Sequence, residues 1–385
     1  MRVLHVIDSL DPRNGGLPRA AACLAAAQAA AGATAGILYH EPDGGPQPAR
    51  GRFDGLEGFG AVELLPLPRP GLREHLSGAR AAGAMEGFAP DLLHLHGVWE
   101  PLLPHAARWA GRTGRPHVLL THSMLDPWHQ ARHRALKWVL MNLLGWNRMF
   151  TRALFVQALT PFEGRYISAL HPAARIEVVS NGIFASEMPD VVPAAEEVFP
   201  FLAGRPYVLS AARLHPQKGP EVLLEAFRRI AARRPDLCLV LAGPDFGSAA
   251  ALRAGAAAAG LDGRVFLPGQ LARRELQAAL AGAAVFCLPS RAEGFSLALL
   301  AAALAGAPLV ITPECHFDEL VAEGAARSVP LDPDELARTL LDVAADPDAR
   351  RVMGGRARHL VRTRYTWAAV ATRLLTLYAA KETSP

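Results

Sequence analysis

The chain has 385 residues, 51% hydrophobic and 20% charged, the balance of a soluble globular protein long enough for two cores. A formal charge of +4 suits anionic ligands or an anionic membrane surface. No concentrated basic tract or aromatic–basic module argues for nucleic acid. No uninterrupted apolar run reaches about 18 residues, and Met1-Arg2 leads straight into a strand, so neither a membrane span nor a signal peptide is expected. Cys23, Cys238, Cys287 and Cys315 form no CxxC pair and read as reduced, buried thiols of a cytoplasmic protein.

Arg2 to Ile7 reads as a buried first strand, Asp8 to Gly16 as a glycine loop, and Leu17 to Ala31 as a helix with Pro18 in its first turn. The loop lacks GxGxxG, so a dinucleotide site is weakly supported. Further strands are predicted near Thr34–Tyr39, Val62–Leu67, Leu92–Leu95, His117–Thr121, Leu154–Ala158 and Ile176–Val179, with helical stretches between several of them. This alternation predicts a parallel doubly wound sheet. Glu187 to Pro200, rich in Pro, Glu and Val, reads as a linker. A second α/β unit follows through Pro206–Ser210, Cys238–Leu241, Val265–Leu267 and Val285–Leu288. The expected domains are residues 1–185 and 200–365, with a last helix over 366–385 whose apolar stripe needs a partner.

Within the first unit, Val118 to Ser123 ends a buried strand on His122, either a ligand contact or a satisfied structural histidine. His94 and His96 share one strand face, but no third ligand has supporting spacing, so no metal is expected there. His129 to Ala153 holds Arg132, Arg134, Lys137, Arg148 and Arg152 and no acid, interleaved with Trp138, Leu140, Leu143, Trp146, Met149 and Phe150. That surface suits an anionic membrane, or its apolar side is the domain core. His129 and His133 read as helix surface.

In the second unit, Arg213 and Lys218 stand on a loop that ends at a helix start with Pro220 at N1. Such a pair either neutralises a diphosphate, with Arg as a fork and Lys as a point charge, or is a solvated loop. Ala284 to Thr312 reads strand, loop, helix, loop, strand, and the loop feeding the helix suits an anion. The plain alternative is an ordinary βαβ unit with Glu293 as a helix cap. Asp332-Pro333-Asp334 and Asp346-Pro347-Asp348 mimic a DxD metal motif but read as caps with Pro at N1.

Ser290-Arg291-Ala292-Glu293-Gly294-Phe295-Ser296-Leu297 resembles the signature of the family-four retaining nucleotide-sugar glycosyltransferases, in which one Glu precedes a second by eight positions. Arg213-Leu214-His215-Pro216-Gln217-Lys218-Gly219 resembles the same family's phosphate clamp, and the resemblance covers nearly the whole chain. It implies a GT-B fold: two facing Rossmann-like domains, each with a parallel sheet, and an interdomain cleft, with the last helix crossing back onto the first domain. It implies retaining hexosyl transfer from a nucleotide-diphosphate sugar to a glycan or lipid-linked acceptor, without metal or other cofactor. On the donor side it implies Gly15 and Gly16 letting backbone approach the phosphates and Arg213 and Lys218 stabilising the departing diphosphate. Glu293, with Gly294, Phe295, Ser296 and Leu297, would orient the sugar, supported by His122. Gly269, Gln270 and Leu271 would edge the base pocket. The second Glu position is Ala301 here, a departure at the expected ribose contact. His96-Gly97-Val98-Trp99 and Met124-Leu125-Asp126-Pro127-Trp128 resemble members from bacterial surface-polysaccharide pathways, which puts His96, Trp99, Asp126 and Trp128 on the acceptor side. A cytoplasmic protein, peripheral at the inner face of the membrane, is the matching expectation. An epimerase would need further acid/base carboxylates, and a non-catalytic partner subunit would account for Ala301.

Overall fold

A computed structural model of the chain describes residues 1–11, 16–41, 51, 53, 55–126 and 134–380. These fall into two compact units, one of Met1–Phe184 joined by the chain from Trp367 onward, the other of Ala185–Thr366. Gly15, Pro127, Trp128, His129 and His133 lie outside the described residues.

The first unit holds a seven-stranded sheet ordered β3-β2-β1-β4-β5-β6-β7. Its strands are β1 (Arg2–Val6), β2 (Thr34–His40), β3 (Glu63–Leu67), β4 (Leu92–His96), β5 (His117–Leu120), β6 (Phe155–Ala158) and β7 (Ile176–Val178). Every pairing is parallel. The central strands are buried on both faces, as a sheet covered by helices on both sides requires. On one face pack the helices Ala79–Phe88, Leu102–Thr113 and Pro161–Leu170. On the other, the helix Gly16–Ala30 and the last helix, Trp367–Ala379, share a cluster with Val3, Leu92, Val118 and Phe155. The last helix buries Trp367, Val370, Ala371, Leu374 and Tyr378, a spacing that puts one stripe against the sheet.

The second unit repeats the plan with six parallel strands ordered β10-β9-β8-β11-β12-β13. They are β8 (Tyr207–Ala211), β9 (Cys238–Ala242), β10 (Val265–Gly269), β11 (Val285–Leu288), β12 (Leu309–Ile311) and β13 (Ala326–Ser328). In both sheets the strand order reverses once, between β1 and β4 and between β8 and β11. Open α/β sheets bind ligands at such a switch point, outside the carboxyl ends of the strands.

Four expectations meet the structure directly. The stretch read as a linker is partly packed: Ala195–Val198 is helical, and Met188, Ala195 and Phe199 are buried within the second unit. Apolar residues in that Pro- and Glu-rich stretch find a partner in the helix Arg273–Gly282, so composition alone misread it. Asp332 and Asp346 are helix caps, each accepting two backbone N–H groups ahead of a proline at the helix start. Among the described residues no helix is long and apolar enough to cross a membrane, and the four cysteines are buried and form no disulfide.

The last helix is integral to the first unit. Leu374→Ala should therefore lower stability by roughly 2–5 kcal/mol, while Arg373→Ala on its exposed side should change little, as read by urea unfolding.

Candidate active site

At the switch point of the second sheet, the loop after β8 and the loop after β11 are tied together. Lys218 Nζ lies 2.6 Å from Glu293 Oε1, and Ser290 Oγ donates to the same oxygen at 2.6 Å. Both charged side chains are largely withdrawn from water, Glu293 5% and Lys218 14% exposed, so neither is well hydrated without the other. Gln217 reinforces the junction, donating to Ala292 O at 3.0 Å and accepting Arg291 N–H through its backbone at 2.8 Å. Gly219 has φ +63°, and a Cβ there would sit 2.1 Å from Pro289 O. The close approach of the two loops therefore requires glycine at that position.

Glu293 is not the helix cap of the plain reading. The helix Leu297–Ala305 starts four residues later, capped by Ser296 Oγ accepting from Leu299 N. Gly294 is partly buried, as is Leu297. Phe295 packs its ring 5.3 Å from Phe317 and 6.1 Å from Tyr365, supporting the loop from beneath with an aromatic cluster. Ala301 is half-buried on the helix and has no polar group to offer. Arg213 is exposed, with its guanidinium 5.3 Å from the Phe246 ring centre. Gly269 ends β10 with φ +80°, Gln270 is exposed and Leu271 partly buried.

In the first unit, β1, β4 and β5 deliver Asp8, Glu100 and His122 to loops at the carboxyl edge of the sheet. His122 and Ser123 have consecutive positive φ angles of 49° and 58°, a conformation that non-glycine residues hold only under constraint. Glu163 supplies the constraint. Its carboxylate accepts Thr121 Oγ1–H at 2.5 Å, Ser123 N–H at 2.7 Å and Leu159 N–H at 2.7 Å. Burial pushes this carboxyl above the usual range, against the pull of those donors. Sequence reading missed Glu163, although Thr160-Pro161-Phe162-Glu163 carries a capping-box spacing. Thr160 does cap the helix at Glu163 N, but the Glu side chain reaches past the cap to brace the His122 turn.

Glu100 was likewise missed. Burial, then the neighbouring Asp8 charge, raises its carboxyl to about 7, and its Oε2 has no partner among the described residues. Asp8 holds His40 Nδ1 at 3.0 Å.

The expected acceptor-side residues divide. Trp99 donates its ring N–H to Met124 O at 3.3 Å and lines a cavity of about 420 Å³ with Lys137, Trp138 and Tyr166. Lys137 Nζ sits 5.0 Å over the Trp99 ring. Asp126 is partly buried, its N–H bonded to Ser123 O at 3.0 Å. His96 requires a correction: it is 1% exposed, and both ring nitrogens are taken by His5 and His122, so it does not meet an acceptor itself. Gly16 is exposed at the first position of its helix.

The third histidine absent from the spacing argument is His5, brought by β1. Ring nitrogens of His5, His94 and His96 lie within 4.8 Å of one another. However, His94 stacks on His96 at 4.6 Å with 13° between planes, and on His5 at 5.3 Å with 20°. An imidazole binds metal in its own plane, so stacked rings do not aim at one ion.

Glu163→Gln turns an amide N–H toward a backbone donor and should cost roughly 1–3 kcal/mol in urea unfolding. Glu100 binds its proton more tightly folded than unfolded, so it lowers stability as pH rises from 4.5 towards about 7. Glu100→Gln should then be more stable than the parent at pH 8 and equal to it below pH 4.5, as thermal melts across that range would show.

Comparison with known proteins draws both units together. The family described as "Glycosyl transferase 4-like domain" matches residues 15–182, and "Glycosyl transferases group 1" matches residues 193–360. The chain is similar to a GDP-mannose-dependent alpha-(1-6)-phosphatidylinositol monomannoside mannosyltransferase of Mycolicibacterium smegmatis, 29% identical over 57% of this chain and 60% of the relative. It is also similar to that organism's phosphatidyl-myo-inositol mannosyltransferase, 28% identical over 75% of this chain and 70% of the relative. The chain thus spans between 60% and 70% of these relatives' length. In fold it resembles Anabaena Alr3699/HepE solved in complex with UDP and glucose, with a TM-score of 0.79 at 19% identity over 99% of this chain and 100% of that one. With two parallel α/β units, the architecture is GT-B. The chain belongs to the glycosyl transferase family, 4-like in its first unit and group 1 in its second.

Proposed function

We propose that the chain is a retaining glycosyltransferase that moves a hexose from a nucleotide-diphosphate sugar to a glycan or lipid-linked acceptor in bacterial polysaccharide or glycolipid synthesis. The observation that carries this reading is the Lys218–Glu293 pair at the β8/β11 switch point. A shielded cation at the carboxyl edge of a parallel sheet, next to the N-terminal start of the helix Pro220–Ala231, is suited to a diphosphate. Relatives named for GDP-mannose and a structure solved with UDP and glucose support the donor class.

In this reading Lys218 leaves part of its interaction with Glu293 for the diphosphate, and Arg213 swings from Phe246 to add a two-pronged contact. Glu293, held by Ser290, then faces a sugar hydroxyl. The bond from the anomeric carbon to the phosphate oxygen breaks while the acceptor oxygen bonds to that carbon on the same face. The acceptor's proton goes to the leaving phosphate, so no carboxylate nucleophile takes part. Two side-chain cations and a helix end supply the positive charge, and the reaction proceeds without metal. Gly15 and Gly16 admit backbone to the phosphates, and His122 supports the sugar.

The acceptor side falls to Trp99 and Asp126 with the cavity against Lys137 and Trp138. Leu136, Trp138, Leu143 and Leu144 are each more than half exposed, while Trp146, Met149 and Phe150 from the same stretch are core. The basic stretch is therefore core at one end and an uncovered apolar patch at the other, which suits peripheral contact with the anionic inner face of a membrane. In this reading the enzyme is cytoplasmic and membrane-peripheral. Ala301 is the one feature favouring a non-catalytic subunit, and transfer or donor hydrolysis by the purified chain decides between them.

Arg213→Ala or Lys218→Ala should each cost roughly 2–4 kcal/mol of transition-state stabilisation in kcat/KM, with EDTA leaving the parent rate unchanged. Wild-type turnover in both variants would overturn the assignment. Trp138→Ser with Leu143→Ser should weaken co-sedimentation with anionic vesicles at low salt; equal binding would remove the membrane reading.

A further inference from the structure

Beneath the carboxyl edge of the first sheet runs an unbroken hydrogen-bonded row of side chains. His122 Nε2 meets His96 Nδ1 at 3.0 Å, and His96 Nε2 meets His5 Nδ1 at 2.9 Å. His5 Nε2 meets Gln28 Oε1 at 3.0 Å, and Gln28 Nε2 donates to Tyr378 Oη at 3.1 Å. Tyr378 Oη in turn lies 2.6 Å from His94 Nδ1. His5, Gln28, His94 and His96 are at most 1% exposed and Tyr378 is 3% exposed. His122 is the one member that reaches the surface, at the end of β5.

Burial holds every ring in the row neutral, lowering His5 to about 4 and His122 to about 3, with His94 and His96 well below the usual range. A neutral imidazole has one donor nitrogen and one acceptor nitrogen, so each bond dictates the next. An amide oxygen only accepts. His5 must therefore donate through Nε2, which leaves its Nδ1 an acceptor. His96 must then donate through Nε2, and its Nδ1 accepts, so His122 donates through Nε2. The remaining nitrogen, His122 Nδ1, carries no proton and bonds no described residue. On the other branch the Gln28 amide donates to Tyr378, whose hydroxyl proton goes to His94 Nδ1.

We propose that Gln28 is a positioning residue: through His5 and His96 it fixes His122 as the Nε2–H tautomer, presenting a bare Nδ1 acceptor at the carboxyl edge of the sheet. A bare acceptor takes a hydroxyl that donates to it and disfavours a carboxylate or carbonyl oxygen in the same place. The ligand group met by His122 is then an unoxidised sugar hydroxyl, and a uronic acid oxidised at that position is rejected. This last consequence rests on the reading of His122 as a sugar contact; the tautomer does not.

Long-range proton–nitrogen correlation spectra of the full chain with labelled histidine test the proposal, His122→Ala providing the assignment. In the parent, His5, His96 and His122 should all be protonated on Nε2 near neutral pH. Gln28→Met, which removes both polar atoms, should replace the single His122 tautomer by a mixture. Gln28→Glu keeps an acceptor for His5 and should keep the His122 tautomer, altering only the Tyr378–His94 branch. Protonation of His122 on Nδ1 in the parent would mean that the row runs the other way and would overturn the proposal, as would an unchanged His122 tautomer in folded Gln28→Met. If Gln28→Met does not fold, the parent tautomers with those of Gln28→Glu decide. Donor turnover is read separately: Gln28→Met should lower kcat and Gln28→Glu restore it. A changed tautomer with unchanged turnover would support the row and count against His122 as a sugar contact.

Discussion

One ion pair ties together the region on which the functional reading depends. Lys218 and Glu293 come from loops 75 residues apart in sequence, and each is largely shielded from water. Withdrawing two charges from solvent is costly, and the attraction between them offsets this only with good geometry and extra hydrogen bonds. Ser290 provides one such bond, and Gln217 clamps the backbones on which the pair stands. The arrangement is a poor use of charge for stability alone. It makes sense as a site held ready for an anion, where an arriving phosphate shares the cation without first stripping its water.

The first unit solves a different problem, the precise holding of one histidine. His122 stands on a turn with two strained residues, braced from below by the Glu163 carboxylate and from the side by His96. The sheet makes this possible because β1, β4 and β5 are neighbours in register, with His5 paired to His94 across β1 and β4. The last helix then closes the row with Tyr378. The same helix that covers apolar surface on the first unit also supplies a polar anchor within it.

Much of this was legible in the residues. Strand and helix alternation, the Pro-at-N1 caps at Asp332 and Asp346, and the helix start with Pro220 after the Arg213–Lys218 loop follow from local rules that tertiary contacts did not override. The misreadings share one cause: they depend on what a residue meets far away in sequence. Ala195 and Phe199 are buried in a stretch whose composition suggests a linker, and the short helix Ala195–Val198 packs against the helix Arg273–Gly282, far later in the sequence. His5 completes the histidine group from another strand, which spacing within β4 could not show. Glu163 drew no notice in the sequence, and only the fold reveals that it serves the turn at His122. Nor could sequence tell that Lys218 and Glu293, assigned separate tasks, would be each other's partner.

The central claim is that a diphosphate is held by the cation of this pair. Calorimetric titration of the chain with UDP, GDP and ADP beside the matching unphosphorylated nucleosides tests it most directly. The account predicts saturable binding of at least one diphosphate, much weaker binding of its nucleoside, and loss of that difference in Lys218→Met. Equal affinity for nucleoside and diphosphate, or a diphosphate bound as tightly by Lys218→Met as by the parent, would contradict it.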